Sequence, residues 1–182
     1  MSQFQKAIRF ATTAHTGQAR KGKPLVPYIT HPLGVALILA RVGASEDVIT
    51  AGILHDTVED SGGKITLDDI ALEFGEAVAE LVGHVTEPDH DTLPWAERKE
   101  AARAHVLSMP KEALLLKSAD FLHNISDLLI DLEEEGEDAW KCFSAPKEPM
   151  TEHLKKLAES LSKAWSENPL LGEVRDAVGR LR

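Results

Sequence analysis

The sequence predicts an all-α protein, a compact helical bundle. Apolar residues recur at helical spacing through nearly every segment. The connections between these segments are short and marked by Gly and Pro. The few β-branched runs sit inside that same period, so no strand pattern emerges.

Each element follows from its own residues. Over 3–16, Phe4, Ala7, Ile8 and Ala11 share one helical face. Over 18–30, with Gly17 just before it, Gly22, Pro24 and Pro27 predict a loop. "HPLGVALILARVG" reads as a buried helix with Pro32 in its first turn and Gly43 at its end. "SEDVITAGILHD" has Ser45 as N-cap, with Glu46 and Asp47 in the first turn. "SGGKIT" is a loop, and "TLDDIALEFG" starts at a Thr66 cap and stops at Gly75. "EAVAELVGHVT" is a further short helix, "PDHDTLP" breaks the pattern, and "WAERKEAARAHVLSM" resumes it. "KEALLLKSADFLHNISDLLIDLEEE" is a long helix, apolar on one side. From Pro149 to Arg182 two amphipathic helices flank "SENPLLG". There is no internal repeat and no low-complexity linker, so one unit over residues 1–182 is expected.

Hydrophobic residues make up 43% of the 182, which suits a folded core and excludes a disordered chain. No apolar run approaches the roughly 20 residues that span a bilayer. The N-terminus carries polar residues throughout and lacks a signal-peptide core. Cys142 is the single cysteine, which excludes an internal disulfide and fits a reducing compartment. A cytoplasmic protein is expected. The net charge of −10 argues against broad binding to nucleic acid or to an anionic membrane. Small basic islands remain in "QARKGK" and "AERKEAAR", against the acidic "DLEEEGED", and they suit a small polyanion.

"AGILHDTVED" places one imidazole beside three carboxylates, Asp56, Glu59 and Asp60, where a helix stops. Clustered carboxylates repel one another unless a cation sits among them. Four residues are candidates to hold one: His31, opening one helix; His55 and Asp56, closing the next; and Asp120, inside the long apolar helix, where an unneutralised carboxylate is costly. Two imidazoles and two carboxylates suit manganese or another divalent transition metal better than calcium or magnesium. The spacing itself matches no compact ligand motif. A solvated acidic turn at the helix end, and a buried cap or salt bridge for Asp120, stand as alternatives. His84, His90 and His105 read as surface groups. Glu59 and Asp60 lie beyond the pair, placed to take or relay a proton from a metal-acidified water if a metal binds.

His31, His55-Asp56 and Asp120 in this order resemble the signature of the HD phosphohydrolase superfamily. "AHTGQARKGKPLVPYITHP", "LHDTVED" and "KSADFLHNISDL" are similar to the corresponding segments of its RelA/SpoT-type hydrolase branch. "VTEPDHDTLPWAERKEA" looks like a segment of the small alarmone hydrolases, the group that includes the metazoan SpoT homologue. The resemblance covers about residues 3–130, with the C-terminal helices, about 145–182, beyond it. It implies an HD-type helical bundle with a metal site between helices. It also implies manganese-dependent removal of the 3′-pyrophosphate from guanosine tetra- or pentaphosphate.

The metal ligands would then be His31, His55, Asp56 and Asp120, with Glu59 and Asp60 activating the attacking water. Arg20 and Lys21 match a pair that packs against the guanine base, and Asn124 matches a residue near the ribose. Arg98 and Lys99 lie in the segment that meets phosphates; an ordinary solvated helix face is the alternative for them, and a mobile basic loop for Arg20 and Lys21. A chain of this length has no room for the synthetase domain of the long members, so degradation alone is expected. Two positions depart from the pattern. Phe121 stands where the family has Arg or Lys, and a later substrate-facing tyrosine is absent, with His153 a candidate in its place. Both bear on nucleotide preference. An HD hydrolase for another phosphorylated nucleotide such as NADPH, or a non-catalytic alarmone-binding module, are the competing readings. The number of copies in the assembly is open.

Overall fold

The computed structural model describes residues 2–87 and 94–181. Of the break read over 88–94, only Pro94 falls among them, and His90 lies outside them. Helix α1 (Gln3–Ala14) starts at a capping box in which Ser2 and Gln5 satisfy each other's backbone N–H, and it buries Ala7 and Ala11. Helix α2 (Thr30–Arg41) buries His31, Val35, Ala36 and Leu39. Helix α3 (Glu46–Leu54) begins at the predicted Ser45 cap, whose hydroxyl accepts from Val48 N–H. A single 3-10 turn, Glu59–Ser61, follows and ends on Gly62 in the left-handed region, φ 64°. Helix α4 (Leu67–Phe74) opens on a Thr66–Asp69 capping box, and α5 (Glu76–Val85) follows after one glycine. Helix α6 (Trp95–Val106) starts after Pro94. The long helix α7 (Lys111–Glu135) has 25 residues. A 3-10 segment, Gly136–Cys142, leads to α8 (Lys147–Ala164) and α9 (Leu171–Gly179).

The segment expected to be a plain loop over 18–30 holds a small hairpin. Strand β1 (Ala19–Arg20) pairs antiparallel with β2 (Lys23–Pro27). Gly22, with φ 74°, makes the reversal between them. Pro24 and Pro27 fit because this is an edge strand. Lys23 anchors the hairpin to α7, with its ammonium 2.6–3.1 Å from Asp131, Glu134 and Glu135.

Helices α2, α3 and α7 pack together at the centre, and α5 covers α3 and α7. Leu39, Leu54, Leu116 and Ile125 are fully buried there. The α2–α3 crossing is close because residue 52 is glycine: a Cβ at Gly52 would meet Leu39 Cδ1 at 2.6 Å. Helix α9 lies on α7, and α8 bridges α9 and α6. The tail is pinned by Asn168, whose amide donates to Ser118 Oγ on α7 at 2.8 Å while its carbonyl accepts from Leu170 N–H at 3.0 Å. Among the described residues no helix is long and apolar enough to cross a membrane.

Asn168→Ala strips partners from two buried groups, so a loss of about 1–3 kcal/mol of stability is expected. A denaturant melt read by circular dichroism checks it, with Ser166→Ala as an exposed-site control.

Candidate metal centre and nucleotide pocket

Three elements bring the predicted ligands together. His31 lies in the first turn of α2, His55 caps the end of α3 with Asp56 next to it, and Asp120 sits mid-way along α7. The two Nε2 atoms of His31 and His55 are 3.2 Å apart. Asp56 Oδ2 lies 3.5 Å from His31 Nε2 and 3.2 Å from His55 Nε2. Asp120 Oδ1 lies 3.3 and 3.7 Å from the same two atoms. Metal bonds near 2.1 Å place neighbouring ligand atoms about 3.0–3.4 Å apart, so this set fits one divalent cation. His31, His55 and Asp56 form the tightest group.

The supporting contacts aim these atoms inward. His55 Nδ1 faces the Gly52 carbonyl at 2.9 Å, which places the proton on Nδ1 and leaves Nε2 as the ligand atom. His31 Nδ1 faces His123 Nδ1 at 3.1 Å. The His123 ring occupies space that exists because residue 34 is glycine, since a Cβ there would collide with it. The Tyr28 hydroxyl donates to Asp56 Oδ2 at 2.6 Å. Lys117, one turn before Asp120, donates to Asp120 Oδ2 at 3.0 Å, and Asn124 donates to Oδ1 at 2.7 Å.

Charge compensation dominates the buried cluster. Burial alone would raise Asp56 and Asp120, but the imidazoles and Lys117 hold both below the usual carboxylate range. Burial would lower Lys117 and His55, yet the same carboxylates hold both above their ordinary values. The environment is built for positive charge.

Glu59 and Asp60 flank the cluster on the 3-10 turn. Burial, with Asp56 nearby, pushes both upward from the usual carboxylate range. Glu59 Oε2 accepts the Glu87 backbone N–H at 3.0 Å.

A cavity of about 830 Å³ opens onto the cluster. On one wall Arg20 donates to Asn124 Oδ1 and Asp127 Oδ2, both at 2.9 Å, and lies over the Tyr28 ring at 5.6 Å. Lys21 is exposed at the rim. On the other wall Arg98 and Lys99 both donate to Glu87. Phe121 lines the cavity but is buried. His153 also lines the cavity, packed edge-on to Trp95, with Arg103 donating to its Nδ1 at 2.9 Å.

All eleven predicted site residues therefore line this cavity or, for Asp60, adjoin it on the Glu59 turn. Sequence reasoning missed Lys117, His123 and Glu87 as neighbours of the site. Lys117 had a signal, a charge three residues before Asp120 on the same helix. His84, read as a surface group, is instead half-buried, while His105 is exposed as read; the two rings stack at 5.9 Å on the cavity wall.

Burial with Lys99 and Arg103 drives His153 down to about 4, from 6.5. A depressed histidine favours the fold while neutral, so that stability is present above pH 6.5 and is lost as pH falls toward 4. Melting temperature should drop across that window in the native protein, and His153→Gln should flatten the drop.

Comparison with known proteins agrees with this geometry. The HD domain family model matches residues 7–163. The chain is 44% identical over 125 residues to the guanosine-3′,5′-bis(diphosphate) 3′-pyrophosphohydrolase MESH1 of Xenopus tropicalis, covering 68% of each. It is 42% identical over 129 residues to the Homo sapiens protein of that name, covering 70% of each. It is 41% identical to the GTP pyrophosphokinase of Streptomyces coelicolor over 69% of this chain but only 14% of that one. A solved metazoan orthologue of SpoT, described as hydrolysing ppGpp, superposes with a TM-score of 0.80 at 26% identity, over 99% of this chain and 96% of that one. A helical fold, a divalent-metal cluster between its helices and a family match across most of the chain lead to one conclusion: the chain belongs to the HD domain family.

Proposed function

We propose that this chain is a manganese-dependent hydrolase that removes the 3′-pyrophosphate from guanosine tetra- or pentaphosphate. The observation that carries it is the convergence of His31, His55, Asp56 and Asp120 at ligand spacing, with Glu59 beside them and a cavity flanked by two basic walls. The sequence relatives named for this reaction support it. Residues 1–182 act as one unit in this reading, because α8 contributes His153 and Leu154 to the cavity built by the N-terminal core.

His31, His55, Asp56 and Asp120 hold the cation, and their mixed nitrogen and oxygen donors suit manganese. When bound, the cation supplies Lewis acidity, acidifying water and offsetting charge on the phosphoryl oxygens. Glu59 and Asp60, held above the usual carboxylate range, orient the water and take its proton. The water oxygen bonds to the phosphorus next to the 3′ oxygen, the bond from that phosphorus to the 3′ oxygen breaks, and pyrophosphate leaves. The 3′ oxygen gains a proton.

Arg20 and Lys21 stack on and hydrogen-bond the base, as a guanidinium plane can. Arg20 is already oriented for this by Asp127 and Tyr28. Asn124 meets the ribose, and Arg98 and Lys99 meet the outlying 5′-phosphates.

The decisive assay offers guanosine tetraphosphate, NADPH and nucleoside monophosphates to the manganese-loaded protein and separates released pyrophosphate from orthophosphate. Pyrophosphate from the tetraphosphate alone is expected. Orthophosphate from NADPH would move the assignment to the 2′-phosphate of a dinucleotide, and binding without turnover would make the chain a sensor. Asp56→Ala should lose bound metal and turnover together. Glu59→Ala should retain metal and lose about 100-fold or more in kcat, as for a general base. Unchanged kcat in metal-loaded Glu59→Ala removes its assigned role.

A further inference from the structure

Arg98 and Lys99 are already engaged. Glu87, just past the end of α5, accepts from Arg98 Nη1 at 2.8 Å and from Lys99 Nζ at 3.0 and 3.1 Å. The Glu87 and Arg98 side chains are each 11% exposed, so the triad is largely withdrawn from water. Burial would raise the Glu87 carboxyl, but Lys99 and Arg98 keep it below its ordinary value and therefore charged. Two cations against one carboxylate leave a surplus positive charge.

The hydrogen bonding is incomplete in the same sense. Arg98 Nε is buried and has no acceptor among the described residues. A carboxylate has two oxygens, and both serve Lys99 while one also serves Nη1. A phosphoryl group has three terminal oxygens and two charges, enough to reach Nε as well and to balance the pair.

We infer that Glu87 is a built-in competitor for the substrate's outlying phosphate, occupying the Arg98–Lys99 pair until a group of higher charge displaces it. The inference rests on the phosphate role proposed above for that pair. A singly charged group gains nothing over Glu87, which already supplies one charge at short range. A dianionic phosphoryl group gains both the surplus charge and the vacant donor, and the displaced carboxylate returns to water. Glu87 thus sets a charge threshold, making it a determinant of specificity for dianionic phosphoryl groups over singly charged groups such as carboxylates or phosphodiesters. Its backbone N–H, bonded to Glu59, remains in place whatever the side chain does.

The test is calorimetric titration of the manganese-loaded full chain with inorganic pyrophosphate. Glu87→Gln keeps the backbone amide and the side-chain volume but removes the charge. It should bind pyrophosphate about tenfold more tightly, a modest figure for a like charge removed from a half-buried site. The double variant Glu87→Gln with Lys99→Met should lose that gain, which separates this site from pyrophosphate held at the metal. Glu87→Ala should show the same sign and stands in should the glutamine variant fail to fold. Equal or weaker binding in either folded variant overturns the inference and makes Glu87 a group that merely positions Arg98 and Lys99. The titration reads anion binding, not turnover. A protein that fails to hydrolyse guanosine tetraphosphate yet tightens on pyrophosphate refutes the substrate and keeps the competitor.

Discussion

Two imidazole nitrogens held 3.2 Å apart, with carboxylates on either side, are the constraint that organises this molecule. Left to themselves such groups do not stay buried together, since each needs a proton or a counter-charge. The surrounding structure supplies that order through specific atoms. The Gly52 carbonyl fixes one imidazole, and the absence of a side chain at Gly34 admits the His123 ring behind the other. Lys117 supplies the positive charge Asp120 needs from within the same helix. Gly52 serves twice, because its missing side chain also lets α2 and α3 approach closely enough for His31 and His55 to meet.

The rest of the cavity follows a related rule. A protein with net charge −10 binds a polyanion only if its few exposed cations are kept pointing inward. Here Arg20 is held by Asp127 and Lys23 by three carboxylates of α7. Free surface ion pairs contribute little to stability. These pairs act instead by fixing where each cation sits before a ligand arrives, which lowers the ordering cost of binding.

Much of this was legible in the sequence, and what was not has physical reasons. The long helix showed its full span, Lys111 to Glu135, because its apolar stripe and terminal signals agree. The Ser45 and Thr66 caps were readable because a hydroxyl before an apolar helix has few other uses. The hairpin was not, since strands of two and five residues carrying two prolines leave no alternation to see. The four candidate ligands could be picked out in order, but their intervals reflect helix packing and obey no local rule. Glu87 was invisible as a partner of Arg98 and Lys99 because the acid follows the end of α5, the bases belong to α6, and they meet only in three dimensions. His84 read as a surface group because polar residues on short helices usually face water, whereas here it is half-buried on the cavity wall.

The placement of these groups also separates chemistry from recognition. The proposed metal ligands sit on α2, at the end of α3 and on α7, helices that pack on one another and contain the most deeply buried side chains. The groups proposed to read the nucleotide sit mostly on the hairpin and on α6, which are peripheral, with Asn124 on α7 the exception. Helix α6 rests on α8 and buries only Val106 of its own residues. A site built on the packed centre keeps its geometry when the periphery changes, while elements with few buried contacts tolerate substitution. In the proposed reading, departures at the nucleotide-reading positions, such as a missing tyrosine near His153, bear on which phosphorylated compound fits and leave the four candidate ligands in place. Phe121 fits the same division: it belongs to the buried face of α7.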